Sequence, residues 1–270
     1  MKKTLLSAAM AALAIAASAP VYANLIVDGI DFGTGAMNIE TATLAETYVD
    51  GVGQQAQGYG VISTINGNST YCSGGACDLY FYYSGYTVTA ADLLTGHLDF
   101  TGGTVNIYKG AFNINLFNSS SASNVALIQA MTPIVQLTGH NFTDPATGNL
   151  ATLDASGAIT GAALGDSGFG LLDVASGFGS VNVQHTLNGN SIADGLGGFA
   201  DIALTSSASN FVLNPNDDTS SCYSTPVPGA WCWAGTMNTR GTSVPEPESL
   251  ALLGIGLLGL GLSRRAKRTA

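Results

Sequence analysis

Leu98-Asp99-Phe100-Thr101-Gly102-Gly103-Thr104-Val105-Asn106-Ile107-Tyr108 decides the fold of this chain. Apolar and polar residues alternate with period two on both sides of the glycine pair, the pattern of a strand with one buried face. Gly102-Gly103 between the two runs reads as a hairpin turn. Outward from here the style repeats. Residues 112–117 place Phe112, Ile114 and Leu116 on one face, and residues 61–65 and 79–83 are further strands with Asn66-Gly67 and Ser73-Gly74-Gly75 as turns.

The second half is read the same way. Residues 126–137, 180–187 and 199–204 have β-compatible spacing, separated by Asp144-Pro145, Asn188-Gly189 and Gly197-Gly198. Helical periodicity is scarce, and residues 39–49 are its best candidate, without convincing caps. Many short strands predict an all-β, antiparallel sandwich or barrel-like ectodomain built as one domain over 24–243. The glycine-rich stretch 157–179 leaves a solenoid as the lesser alternative.

Both ends of the chain are addresses rather than fold. Lys2 and Lys3 precede an apolar run over 5–17, and Val21-Tyr22-Ala23 fits the small-x-small rule, so 1–23 is a signal peptide cleaved between Ala23 and Asn24. At the other end Val244-Pro245-Glu246-Pro247 precedes an uncharged run over 250–262, followed by Arg264, Arg265, Lys267 and Arg268. Thirteen helical residues span roughly 20 Å against a hydrocarbon core of about 30 Å, a single short transmembrane helix. The basic residues flank the membrane and hold that end on the cytoplasmic side.

This tail over 244–270 resembles a PEP-CTERM sorting signal, the tag of exosortase substrates in Gram-negative bacteria that make exopolysaccharide. The resemblance implies that Val244, Pro245, Glu246 and Pro247 are read by the sorting enzyme and that helix and basic tail are later removed. It implies as partners the Sec translocon, signal peptidase and exosortase, with transient inner-membrane anchoring before release to the cell surface or matrix. By tail and ectodomain style the nearest type is a flocculation-associated PEP-CTERM protein.

Removing both ends sharpens the charge. Only Lys109 and Arg240 remain against sixteen carboxylates, a formal charge of −14 over 24–243. Such a surface repels nucleic acid and favours cations or neutral glycans as partners.

Cys72 and Cys77 flank one short turn segment and Cys222 and Cys232 another, so two local disulfides are expected of an oxidising compartment. Zinc is disfavoured because the cysteine spacings are wrong and no histidine is near. The expectation is no metal and no cofactor, with calcium at Asp28-Gly29-Ile30-Asp31 or Asn216-Asp217-Asp218 as the alternative. Gly165-Asp166-Ser167-Gly168 resembles a protease nucleophile turn, but His97, His140 and His185 lack a protease context, so no catalytic residue is assigned. Tyr80 and Tyr82 alternate with Phe81 and Tyr83, and at least one of these pairs belongs to the core. Trp231 and Trp233 share a face and offer a sugar platform if exposed.

These readings converge on a non-enzymatic, exosortase-processed surface or matrix protein associated with exopolysaccharide, biofilm or floc formation. The rivals are an exported enzyme acting on matrix polysaccharide and a self-associating structural protein.

Overall fold

The computed structural model describes residues 25–33, 35–75, 77–92, 95–157, 166–222 and 226–242. A two-residue hairpin, β1 (Ile26–Val27) and β2 (Ile30–Asp31), leads into β3 (Ala36–Thr47), β4 (Gln55–Ile65), β5 (Cys77–Asp92) and β6 (His97–Ala111). After a 3-10 turn at Leu116–Asn118, helix α1 (Ser121–Gln129) precedes β7 (Thr132–His140). The chain then makes a small hairpin of β8 (Phe142–Thr143) and β9 (Leu150–Ala151), and continues through β10 (Leu153–Ser156) and β11 (Asp166–Gly179). Helix α2 (Val181–Leu187), a second small hairpin of β12 (Ile192–Ala193) and β13 (Phe199–Ala200), β14 (Ile202–Ser209) and β15 (Trp231–Thr242) complete it.

Eight strands close into an antiparallel barrel in the order β11-β14-β15-β3-β4-β5-β6-β7, with β7 pairing back to β11. Of the two all-β architectures expected, the barrel is the one formed. Its wall has one shared position. β7 pairs β6 over Thr104–Lys109, whereas β10 pairs the same strand over His97–Phe100, and both then pair β11.

The Gly102-Gly103 pair lies at this handover, inside the single long strand β6, and is not the hairpin turn expected. Both glycines have positive φ, 73° and 89°. They kink the strand without ending it because β5 pairs residues on both sides of them. A Cβ on Gly103 would stand 2.3 Å from Cε1 of Tyr86, so the ring occupies the space that a side chain would need.

Three other expectations change. Residues 39–49 belong largely to strand β3, whose buried set Met37, Ile39, Thr41 and Thr43 alternates with period two; threonines at inward positions hide that period in a hydrophobicity reading. Residues 112–117 are not a strand: Phe112 is exposed, Asn113 takes φ 61° and Leu116 enters the 3-10 turn. Residues 126–137 run from the end of helix α1 into strand β7, so only their second half is the strand expected, whereas 180–187 holds helix α2, which the Ser180 hydroxyl caps by accepting from the Val183 N–H.

The barrel is filled by inward side chains including Ile62, Phe81, Tyr83, Leu98, Phe100, Leu137, Leu172 and Trp233. Each such burial is worth roughly 1.5–3 kcal/mol. Two further apolar clusters lie outside the wall. Tyr59, Tyr80, Tyr82 and Tyr108 pack under α1 with Leu116 and Ile128. Phe142, Ala151 and Ala200 of the two small hairpin regions pack on Leu171 of β11.

Both expected disulfides are formed, Cys72–Cys77 and Cys222–Cys232. Among the described residues no helix is long and apolar enough to cross a membrane. Ala23, Asn24, the sorting motif, the apolar run and its flanking basic residues lie outside the described residues.

Candidate functional site

Helix α1 and the two small hairpins cover parts of the outer wall, and the arc from β14 through β15 and β3 to β4 presents exposed polar side chains. Register aligns them in rows across the strands. Thr205 faces Asn238, Asn238 faces Glu40 and Glu40 faces Thr64, while Ser207 faces Thr236 one pair further along. Glu40, Ser63, Thr205, Ser207 and Thr236 are exposed and line a shallow groove of about 420 Å³ with Asn238. A β-sheet displays alternate residues on one face, so this spacing follows directly from the sequence of each strand.

Hydrogen bonds fix the groove. The Thr64 hydroxyl donates to Glu40 Oε2 at 2.9 Å, the Ser63 hydroxyl donates to the Glu40 carbonyl at 2.9 Å, and the Ser207 and Thr236 hydroxyls meet at 3.1 Å. The buried carboxamide oxygen Asn238 Oδ1 has no hydrogen-bond partner among the described residues. Hydroxyls, a carboxylate and an amide at strand spacing can donate to and accept from a polyhydroxylated chain without demanding charge.

The barrel interior offers a different surface. A cavity of about 80 Å³ is lined by Tyr83, Tyr86, Leu98, Phe100, Trp233 and Met237, with Glu46 at its wall. Burial pushes the Tyr86 phenol well above its usual value.

On the outer wall two histidines each meet two carboxylates, a pairing the sequence reading missed because Asp144, Asp173 and Asp194 lie far from their histidines in the chain. His97 Nε2 lies 2.6 Å from Asp144 Oδ2 on the β8–β9 hairpin and 3.3 Å from Asp99 Oδ1. His140 Nδ1 lies 2.7 Å from Asp173 Oδ2, and its Nε2 lies 3.1 Å from Asp194 Oδ2 in the turn between β12 and β13. Each small hairpin is thus tied to the barrel by a histidine of the wall.

The titration of these groups follows from that geometry. Burial disfavours the imidazolium at both sites, but the hydrogen bonds and charges of Asp144 with Asp99, and of Asp173 with Asp194, outweigh it and raise both histidines. Asp144 and Asp194 are held below the usual carboxylate range despite burial. The donors are the Ala146 N–H, the Thr147 hydroxyl and His97 for the first, and His140 with the Leu196 and Gly198 N–H groups for the second. Asp154, half-buried nearby, is raised by burial and by the charges of Asp144 and Asp99.

The aromatic residues take mostly core positions. Tyr80, Phe81, Tyr82, Tyr83 and Tyr86 are all buried, the first and third outside the wall under α1 and the others inside. Trp231 and Trp233 do not share a face. Register shifts on either side of Trp233 turn it inward, whereas Trp231 packs edge-on against Tyr59 outside the wall. The pairing therefore removes the expected sugar platform.

The acids of the two calcium candidates accept hydrogen bonds from within the protein, Asp28 Oδ2 from the Ser180 hydroxyl. Asp31 Oδ1 accepts from the Gly33 N–H, Asp217 Oδ1 accepts from the Ser121 N–H at the start of α1, and Asp218 caps the 3-10 turn at Thr219–Ser221. Ser167 meets the Ser156 hydroxyl at 3.2 Å across β10 and β11.

The PEP-CTERM protein-sorting motif matches residues 243–265 of the chain. No curated protein and no solved structure matches it.

Proposed function

We propose that this PEP-CTERM domain-containing chain, targeted by its tail to exosortase and exported to the cell surface, is a non-enzymatic matrix protein that holds exopolysaccharide. The hydroxyl-lined groove over β14, β15, β3 and β4 carries the reading. Its side chains are neutral apart from Glu40, and a domain of formal charge −14 gains little from an anionic ligand. A role in biofilm or floc formation, of the flocculation-associated type, follows from polysaccharide held at many copies on one surface. The Gram-negative envelope is part of the same proposal.

Serine-nucleophile chemistry is disfavoured at two of the histidines. Both His97 and His140 have carboxylates, rather than a serine hydroxyl, as side-chain partners. Self-association by strand addition is disfavoured because barrel closure leaves the main sheet without an open edge.

Affinity electrophoresis in gels containing the producing cell's exopolysaccharide tests the reading. The wild-type protein is retarded, and combining Thr205→Ala, Ser207→Ala and Thr236→Ala weakens retention by about tenfold, as the loss of several hydrogen bonds worth about 0.5–1.5 kcal/mol each requires. Equal retardation of both proteins refutes the groove. Shortening of the polysaccharide on incubation favours the enzymatic rival instead.

A further inference from the structure

The β8–β9 hairpin brings a chemically distinct set of atoms together on the barrel wall. His97 Nε2, one oxygen of Asp99 and one oxygen of Asp144 lie within 4.8 Å of one another. Leu98 and Phe100 line the interior cavity, so His97 and Asp99 alternate to the outer face, where the hairpin covers them.

The carboxylates are held as ligands are held. Asp99 Oδ2 accepts from Asn149 Nδ2 at 2.7 Å, Asp144 Oδ1 accepts from the Ala146 N–H at 2.8 Å, and the single Thr147 hydroxyl hydrogen is shared between Asp144 Oδ2 and Asp99 Oδ2, the latter at 3.0 Å. Those bonds leave Asp99 Oδ1 and Asp144 Oδ2 turned toward the imidazole, the latter also accepting from Thr147 Oγ1 at 2.7 Å. Outer partners that fix one carboxylate oxygen and aim the other are the usual support of a metal ligand.

Charge supplies a second, independent argument. The side chains of Asp99 and Asp144 are fully buried and that of His97 is 10% exposed. An imidazolium leaves this group one negative charge in excess, whereas a neutral imidazole, two carboxylates and a divalent ion sum to zero. Buried charge without compensation is costly. One Nε2–H also cannot align with two separate carboxylate oxygens, while a metal ion can bind all three atoms.

We propose that His97 Nε2, Asp99 Oδ1 and Asp144 Oδ2 form a divalent-cation site for Zn²⁺, with water completing a four-coordinate shell. One imidazole nitrogen and two carboxylate oxygens suit zinc, whereas calcium takes an all-oxygen set. Tetrahedral bonds of about 2.0–2.1 Å set donors roughly 3.3 Å apart. The observed 3.3 Å from Nε2 to Asp99 already meets this, and the 2.6 Å contact to Asp144 opens by a small movement of the hairpin. The ion ties the hairpin to the wall.

The exported protein, stripped with EDTA and dialysed, tests the site with Co²⁺ as a spectroscopic probe. One equivalent of Co²⁺ gives visible d–d absorption, Zn²⁺ abolishes it by displacement, and Zn²⁺ raises Tm by several degrees where Ca²⁺ does not. His97→Gln removes all three responses. Absence of d–d bands and of a Zn²⁺-dependent Tm rise at 1 mM metal (about a thousandfold above a micromolar Kd) overturns the proposal, as does unchanged binding by H97Q. Because Asp144→Asn risks loosening the hairpin, ¹⁵N shifts of the wild-type His97 ring provide the second measurement. Metal-bound Nε2 supports the site, and an imidazolium that persists in excess Zn²⁺ refutes it.

Discussion

His140 on the barrel wall and Asp194 in the turn between β12 and β13 lie 3.1 Å apart, nitrogen to oxygen, while the second ring nitrogen is 2.7 Å from Asp173. The hairpin is therefore held by a charge that a change of pH can remove. His140 is raised above 6.5, so its contribution is complete below that value and is lost as pH rises through the folded pKa. Asp194 is lowered below 3.8, so its contribution is complete above that value and is lost as pH falls through the folded pKa. The Tm advantage of the wild type over His140→Gln is accordingly greatest between 3.8 and 6.5 and shrinks on the alkaline side. Thermal melts across pH 4–9 check this, and a difference that stays constant over the range counts against it.

Gly103 combines a φ of +89° with a Cβ position that meets the buried ring of Tyr86. Gly103→Ala is expected to cost about 2–4 kcal/mol, from backbone strain and overpacking together. Gly67 has φ +74° but open space around its Cβ position, so Gly67→Ala costs about 1 kcal/mol. Urea unfolding of the two variants measures the difference, which is the share due to the Tyr86 ring.

The Tyr59 hydroxyl accepts from Asn124 Nδ2 at 2.9 Å and from Asn214 Nδ2 at 3.2 Å, and meets the Ser121 hydroxyl at 3.0 Å. All four side chains are buried. Tyr59→Phe keeps the ring and removes one of several acceptors from each of two buried amides, which retain the Leu116 and Ser119 carbonyls, for a loss of about 0.5–1.5 kcal/mol. The urea midpoint should fall with the slope unchanged.

Cys222–Cys232 closes a segment of sequence separation 10 and Cys72–Cys77 one of separation 5. Chain entropy assigns about 2–3 kcal/mol to each, the longer loop exceeding the shorter by about 0.6 kcal/mol. Replacing each pair by alanines in turn and comparing urea midpoints tests the order; a larger loss at 72–77 would show that native contacts outweigh loop length.

Strand β5 was legible because its tyrosines and Phe81 are large, and because their alternation survives burial on both faces. Helix α2 was less so, since Val181, Val183 and Leu187 suit a strand and only the Ser180 cap distinguishes them. The register shifts beside Trp233 leave no mark in composition, which is why both tryptophans were assigned to one face. The groove depends on which strands become neighbours, as Thr205 and Glu40 face Asn238 from opposite sides. The histidine clamps were invisible for the same reason, with 47 residues from His97 to Asp144 and 54 from His140 to Asp194.

The shared position in the wall has a consequence for how this protein can change. β7 leaves it at His140 opposite Leu171, and β10 re-enters it at Leu153 opposite Gly170, the adjacent residue of β11. The excursion between them thus begins and ends at one seam of the barrel. An appendage rooted at this one seam can therefore change in length or shape without re-registering the eight strands of the wall.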